Sequence, residues 1–124
     1  MSRTSTKSNS EKKIIVWLIS LTILILIMII IGGLTRLTGS GLSMVDWKPI
    51  MGAIPPLSHS SWIEFFNKYK LSPEYKIVNS SMTLNEFQYI FWWEWFHRFF
   101  ARCIGIVFIL PFIYFYIKNK LTND

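Results

Sequence analysis

Two long apolar runs flank a polar, proline-punctuated middle. From Ile14 to Ile31, "IIVWLISLTILILIMIII" carries no charge, and only Ser20 and Thr22 are polar. Extended through Gly32, Gly33 and Leu34 it makes a helix of about 20 residues, roughly 30 Å at the α-helical rise, which matches a hydrocarbon core. The pattern predicts a transmembrane helix over 14–34. A cleavable signal peptide is the competing reading. The apolar run exceeds the roughly 7–15 residues of a signal's apolar region, however, and no small-x-small cleavage site follows. Residues 1–13, "MSRTSTKSNSEKK", have no apolar face and are expected as a short disordered tail.

Residues 35–83 hold four of the five prolines. Gly39, Gly41 and Gly52, with Pro49, Pro55, Pro56 and Pro73, mark turns, and Trp62 to Tyr69 reads as a short surface helix. A loop this long is usually functional rather than a passive connector. "MTLNEF", Met82 to Phe87, marks a helix start, with Thr83 as N-cap and Glu86 as its capping-box partner.

A second helix is expected over 84–117. Its purely apolar part, Cys103 to Ile117, covers roughly 22 Å and falls short of a core of about 30 Å. It must borrow turns from "EWFHRFFAR", Glu94 to Arg102, which places that stretch at or just beneath one membrane interface. Trp92, Trp93 and Trp95 suit an aromatic belt there. Pro111 is expected to kink the apolar section, which membrane helices tolerate.

At 52% hydrophobic and 17% aromatic, 124 residues are too apolar for an ordinary soluble domain, so the fold class is all-α integral membrane, with two transmembrane helices and a long outer loop. The net charge of +6 does not imply nucleic acid, because the basic residues form no stripe and the aromatic excess lies within apolar runs. It reads as topology. Arg3, Lys7, Lys12 and Lys13 precede the first span, and Lys118 and Lys120 follow the second. The positive-inside rule therefore puts residues 1–13 and the 118–124 tail in the cytoplasm. The loop's Arg36, Lys48, Lys68, Lys70 and Lys76 are balanced by Asp46, Glu64, Glu74 and Glu86, which suits the outer side.

Candidate chemistry gathers on the second helix. Glu94, Arg98 and Arg102 follow at i, i+4 and i+8, His97 lies beside them, and Gly105 continues the stripe. An ionisable residue within a membrane is a functional hypothesis by default, since its burial is costly without a partner. A neutral imidazole ligates haem iron or another metal, arginines pair with carboxylates such as haem propionates, and a glutamate orients a histidine or moves protons. Gly105 would let a flat ring or another helix approach closely. The plainer reading is an i,i+4 Glu94–Arg98 salt bridge, a snorkelling Arg102 and His97 in a polar helix contact. Spacing alone leaves the two readings level. E-x-x-H is not H-E-x-x-H, and no further ligand on the face completes a metal shell, which argues against zinc. His59 is expected in solvent. The single cysteine, Cys103, excludes a disulfide framework and reads as an inert packing thiol.

With these residues placed, "GGLTRLTGSGLSMVDWKPIMGAIPP", Gly32 to Pro56, followed by "EFQYIFWWEWFHR", Glu86 to Arg98, closely resembles the N-terminal part of the haem A synthases. These membrane enzymes oxidise a methyl group of haem O to the formyl group of haem A for cytochrome oxidase. The resemblance covers most of the chain from about Gly32 to Ile117. It implies an oxidoreductase of two related four-helix halves, with histidine pairs ligating haem at the outer side of the membrane. This chain would be part of one haem-binding bundle, and haem b would sit in the other half. On the same grounds His97 is a ligand of the haem iron, Glu94 is the acid needed for activity, Arg98 belongs to the motif and Arg36 lies near the haem edge. Arg102 joins them as a cofactor-binding candidate. Lacking a cysteine pair in the loop, the sequence is similar to the cysteine-free form of alphaproteobacteria and mitochondria. The absence of a transit-like N-terminus favours the bacterial plasma membrane.

Members of that family are much longer, so the resemblance implies a part that is inactive until other helices complete it. Its expected partners are haem O, the lipid bilayer and the remaining transmembrane helices. A homo-oligomer joining two His97 side chains is the other way to complete a site. Two further readings stand beside the synthase: a two-helix haem-binding or anchor subunit without catalysis, and an inactive truncated remnant.

Overall fold

The structure, a computed structural model, describes residues 2–46 and 54–118. Lys48, Pro49 and Gly52 of the loop, and Lys120 beyond the second apolar run, lie outside the described residues. Among the described residues four helices follow one another: α1 (Ser2–Leu37), α2 (His59–Lys70), α3 (Pro73–Ile77) and α4 (Leu84–Ile117). The described residues contain no strand, so the fold is all-α.

Asn9–Leu37 and the whole of α4 are long and apolar enough to cross a membrane, and almost none of either apolar window is buried inside the protein. The core helix of a soluble protein would hide that surface. Here Ile19, Ile23, Leu26 and Ile30 on α1, and Phe108, Leu110 and Tyr116 on α4, stand exposed, as a lipid environment allows. Residues 2–13 are not a disordered tail but continue α1. Once a long helix is nucleated, each further residue adds a backbone hydrogen bond, and Glu11, Lys12 and Lys13 are good helix formers.

The ends of the helices are set by local chemistry. Gly39, at φ 63°, occupies the left-handed conformation after α1. Its amide donates to the Arg36 carbonyl at 3.2 Å, and the Ser40 amide donates to Thr35 at 2.9 Å, the double closure of a Schellman motif. Ser58 caps α2 by accepting from the Ser61 amide, and Ser72 caps α3 by accepting from the Tyr75 amide, with Pro73 in the first turn. At the start of α4 the Thr83 amide donates to Glu86 Oε2 at 2.7 Å, and the Glu86 amide reaches back to Thr83 Oγ1 at 3.4 Å. The capping box read from "MTLNEF" is therefore present.

The chain divides into two compact units, one of Met1–Ile29 with Ala101–Asp124, the other of Ile30–Phe100. In the first, Leu21 and Phe115 are buried. The Trp17 ring lies 6.0 Å from that of Phe108 and 5.5 Å from that of Phe115. Its indole Nε1 donates to the Val107 carbonyl at 2.8 Å. Val107 stands four residues before Pro111, and proline has no amide to close that turn of helix. Trp17 thus supplies the donor that Pro111 removes, which is how a proline persists at membrane depth.

In the second unit a compact core forms from Met44, Phe66, Tyr69, Phe87, Ile90 and Phe91, with Trp62, Phe65, Tyr75, Met82, Leu84 and Trp95 against it. Edge-to-face rings dominate, as in Trp62–Phe91 at 5.0 Å and Phe65–Phe91 at 5.8 Å. Burial pushes the Tyr69 phenol above its ordinary value of 10.0, even though its oxygen accepts a hydrogen bond from Asn79 Nδ2 at 2.9 Å. Outside this core Lys68 pairs with Asp46 at 3.1 Å and Glu64 at 3.0 Å, exposed contacts of small energetic weight. The described part of the loop between the long helices is therefore a packed cap on the first turns of α4.

The proline contact predicts a conditional cost. Trp17→Phe keeps the rings but removes the donor, and should destabilise the protein by about 1 kcal/mol in detergent unfolding. In a Pro111→Ala background, where residue 111 again has an amide, the same substitution should cost close to nothing.

Candidate functional site

α4 carries Glu94, His97 and Arg98 within little more than one turn, and the end of α1 carries Gly32 and Arg36. These residues, with Glu74 of α3, line one cavity of about 640 Å³ wholly inside the Ile30–Phe100 unit. That volume lies within the range of small-molecule and cofactor pockets.

Glu94 is the organising group. It is 2% exposed, the only buried charged residue among those described. Its Oε1 accepts from Arg98 Nη2 at 2.6 Å and Nε at 3.0 Å, one helical turn on. Its Oε2 accepts from the Ser43 hydroxyl at 2.7 Å and from the Met44 amide at 2.8 Å. Four donations to two oxygens suit a carboxylate, which only accepts. The Schellman turn at Gly39 makes this reachable, because it folds the chain after α1 back so that residues 43 and 44 meet α4.

His97 is half-buried and has no hydrogen-bond partner among the described residues. A Cβ at Gly32 would stand 3.2 Å from its Nε2 and 3.6 Å from its Cδ2. The imidazole edge thus rests against bare α1 backbone, in a slot that any larger residue at 32 would crowd. The Arg36 side chain is exposed and likewise lacks a partner among the described residues. One available imidazole, one available guanidinium and a second guanidinium held by a carboxylate share the cavity wall. This donor set fits a planar ligand that bears both a metal and carboxylate groups. No cluster of three His, Cys, Asp or Glu side chains occurs among the described residues.

The comparisons with known proteins agree with this architecture. Residues 15–124 match the COX15-CtaA family, described as cytochrome oxidase assembly protein. The chain belongs to that family. Over 117 residues it is 51% identical to the heme A synthase of Flavobacterium psychrophilum, an alignment covering 93% of this chain and 34% of the relative. It is 49% identical over 121 residues to the heme A synthase of Nitrosospira multiformis, covering 98% of this chain and 34% of the relative. The heme A synthase of a Caulobacter species is 45% identical over 117 residues, 94% of this chain and 34% of the relative. The chain therefore spans about a third of the length of the curated relatives it matches. No solved structure matches it.

In this family member the structure brings together Glu94, His97, Arg98 and Arg36, four of the residues singled out from the sequence. Arg102 is not among those lining the cavity. His59 opens α2 and is exposed, and Cys103 is a free, half-buried thiol. The salt bridge of the plainer reading exists, at 2.6 Å, and occupies the same cavity wall as the functional one. Sequence reasoning missed Ser43, the Met44 amide, Gly32 and Glu74. The "TGSG" turn was the signal that the chain doubles back, but not where it lands.

Removing Glu94 leaves a half-buried guanidinium and the Met44 amide without their acceptor and takes from the Ser43 hydroxyl its shortest one. Glu94→Ala should destabilise the protein by about 1–3 kcal/mol and loosen the loop. The check is detergent unfolding together with limited proteolysis after α1, with Glu94→Gln falling between the alanine variant and the parent.

Proposed function

We propose that this chain is the substrate-haem half-site of a haem A synthase, supplying the first two transmembrane helices. The enzyme would oxidise a methyl group of haem O to the formyl group of haem A for cytochrome oxidase. The observation that carries the reading is the shared wall of Arg36, His97 and Glu94-bound Arg98 around a single cavity. His97 would bind the haem iron through a ring nitrogen, and Gly32, whose missing side chain gives the imidazole its room, would set where the ring sits. Arg36 and Arg98 would meet the propionates with charge-assisted hydrogen bonds. Bound haem would supply the redox chemistry, and the protein orientation and electrostatics.

On this reading the loop lies on the outer side of a bacterial plasma membrane and both tails lie in the cytoplasm, since Arg3, Lys7, Lys12 and Lys13 precede the apolar part of α1 while Lys118 and Lys120 follow the second span. His97 would supply one protein ligand to the iron. The opposing ligand and the rest of the enclosure would come from the family's further helices or from a second copy of this chain.

The test is haem binding by the chain purified from membranes, alone and co-expressed with the remaining helices of the family. The parent should take up haem O or haem A with a ligated Soret band. His97→Ala should lose at least about tenfold in haem affinity, and His97→Met should retain haem with an altered spectrum. Equal haem occupancy and spectra in all three proteins would remove His97 as the ligand. A haem-bound dimer formed by the chain alone would favour a binding subunit without catalysis. Gly32→Ala, which adds a methyl 3.2 Å from Nε2, should shift the haem spectrum while circular dichroism stays at the parental level.

A further inference from the structure

The two oxygens of Glu94 serve two different structures. Oε1 holds Arg98 on its own helix, while Oε2 holds the loop through Ser43 and Met44. A glutamate that moved protons would need an open lone pair facing its ligand. Glu94 is 2% exposed, and its oxygens already receive four donors. Arg98, by contrast, is 26% exposed at its side chain and lines the cavity. With Nε and one Nη2 hydrogen committed to Glu94, its remaining guanidinium hydrogens are left for whatever the cavity holds.

We infer that Ser43 is a positioning residue for this site: its hydroxyl fixes the Glu94 carboxylate, and the carboxylate sets the angle at which Arg98 presents its open donors to a carboxylate-bearing ligand. Glu94 is then a strut between loop and guanidinium. Ser43 contacts three acceptors, but they are unequal: Glu94 Oε2 at 2.7 Å, the Ser40 carbonyl at 3.2 Å and the Ile90 carbonyl at 3.4 Å. A hydroxyl has one hydrogen to give, and the shortest contact is the charged one, the stronger kind of bond. With the Met44 amide, Ser43 places two donors from the loop on the oxygen opposite the one that holds Arg98. The identity of the ligand as a haem bearing propionates rests on the function proposed above; the strut itself does not.

The experiment follows Arg98 directly. In the isotope-labelled chain in detergent micelles, the Arg98 Nε hydrogen should exchange with water slowly, because Glu94 Oε1 accepts it. Ser43→Ala should speed that exchange about tenfold, the scale of one charged hydrogen bond, and Ser43→Thr should restore it. Backbone amides of α4 from Phe87 to Phe91 should keep their protection, which separates loss of aim from loss of fold. Should Ser43→Ala fail to fold, Ser43→Cys, a weaker donor, carries the test with an intermediate rate. Equal Arg98 exchange in the parent and in whichever of these two variants folds would overturn the assignment.

A second arm compares haemin with its dimethyl ester, which lacks free carboxylates. The parent should prefer haemin, and Ser43→Ala should lose that preference while its affinity for the ester is unchanged. Faster Arg98 exchange in a protein that binds neither porphyrin would support the strut and sink the haem reading. An unchanged haemin preference with unchanged exchange would sink the strut.

Discussion

A carboxylate buried in a chain of this composition must collect its hydrogen bonds from the protein, and Glu94 collects them from both sides. From its own helix comes the Arg98 guanidinium, and from the chain after α1 come a hydroxyl and a backbone amide. The site in the Ile30–Phe100 unit depends on that convergence. Without it the segment after Gly39 keeps only the long Ser43 contact to the Ile90 carbonyl of α4, and the half-buried Arg98 guanidinium loses its orientation and its counter-charge. The aromatic core around Phe87 and Phe91 adds apolar weight to the same closure, but rings slide more easily than a charge-assisted hydrogen bond bends.

The division of labour within the cavity is chemically informative. Glu94 and Arg98 satisfy each other, while His97 and Arg36 have no partner among the described residues. Of the two, His97 is held half-buried and Arg36 stands exposed at the cavity wall. Glu74 brings a negative charge to the same wall from α3, so the cavity is not uniformly cationic. Membership of the cytochrome oxidase assembly family and about half identity to named heme A synthases fit a site that keeps donors in reserve.

The long helices and the start of α4 were legible because their signals are local. Eighteen uncharged positions need no neighbour to declare a span, and Thr83 with Glu86 closes a capping box within four residues. The E-x-x-H-R spacing placed Glu94, His97 and Arg98 on one face for the same reason. The contacts to Ser43 and Met44 were not legible, because they depend on where a loop lands some fifty residues away in the chain. Gly32 was read as an extension of the apolar run, when its use is the absence of a side chain opposite an imidazole. The polar N-terminal residues were read as disordered because composition weighs each residue alone, whereas helix propagation is cooperative.

The bond from Trp17 to the Val107 carbonyl gives the chain an order of events. Synthesis runs from the N-terminus, so α1 and its indole are made well before Pro111 leaves the ribosome. When the proline arrives and strips one carbonyl of its helical donor, the substitute is already waiting in the bilayer. Reversed in sequence, the same two helices would leave that carbonyl bare in hydrocarbon until the tryptophan was made. The position of one proline thus ties the birth order of the helices to the chemistry of their surroundings.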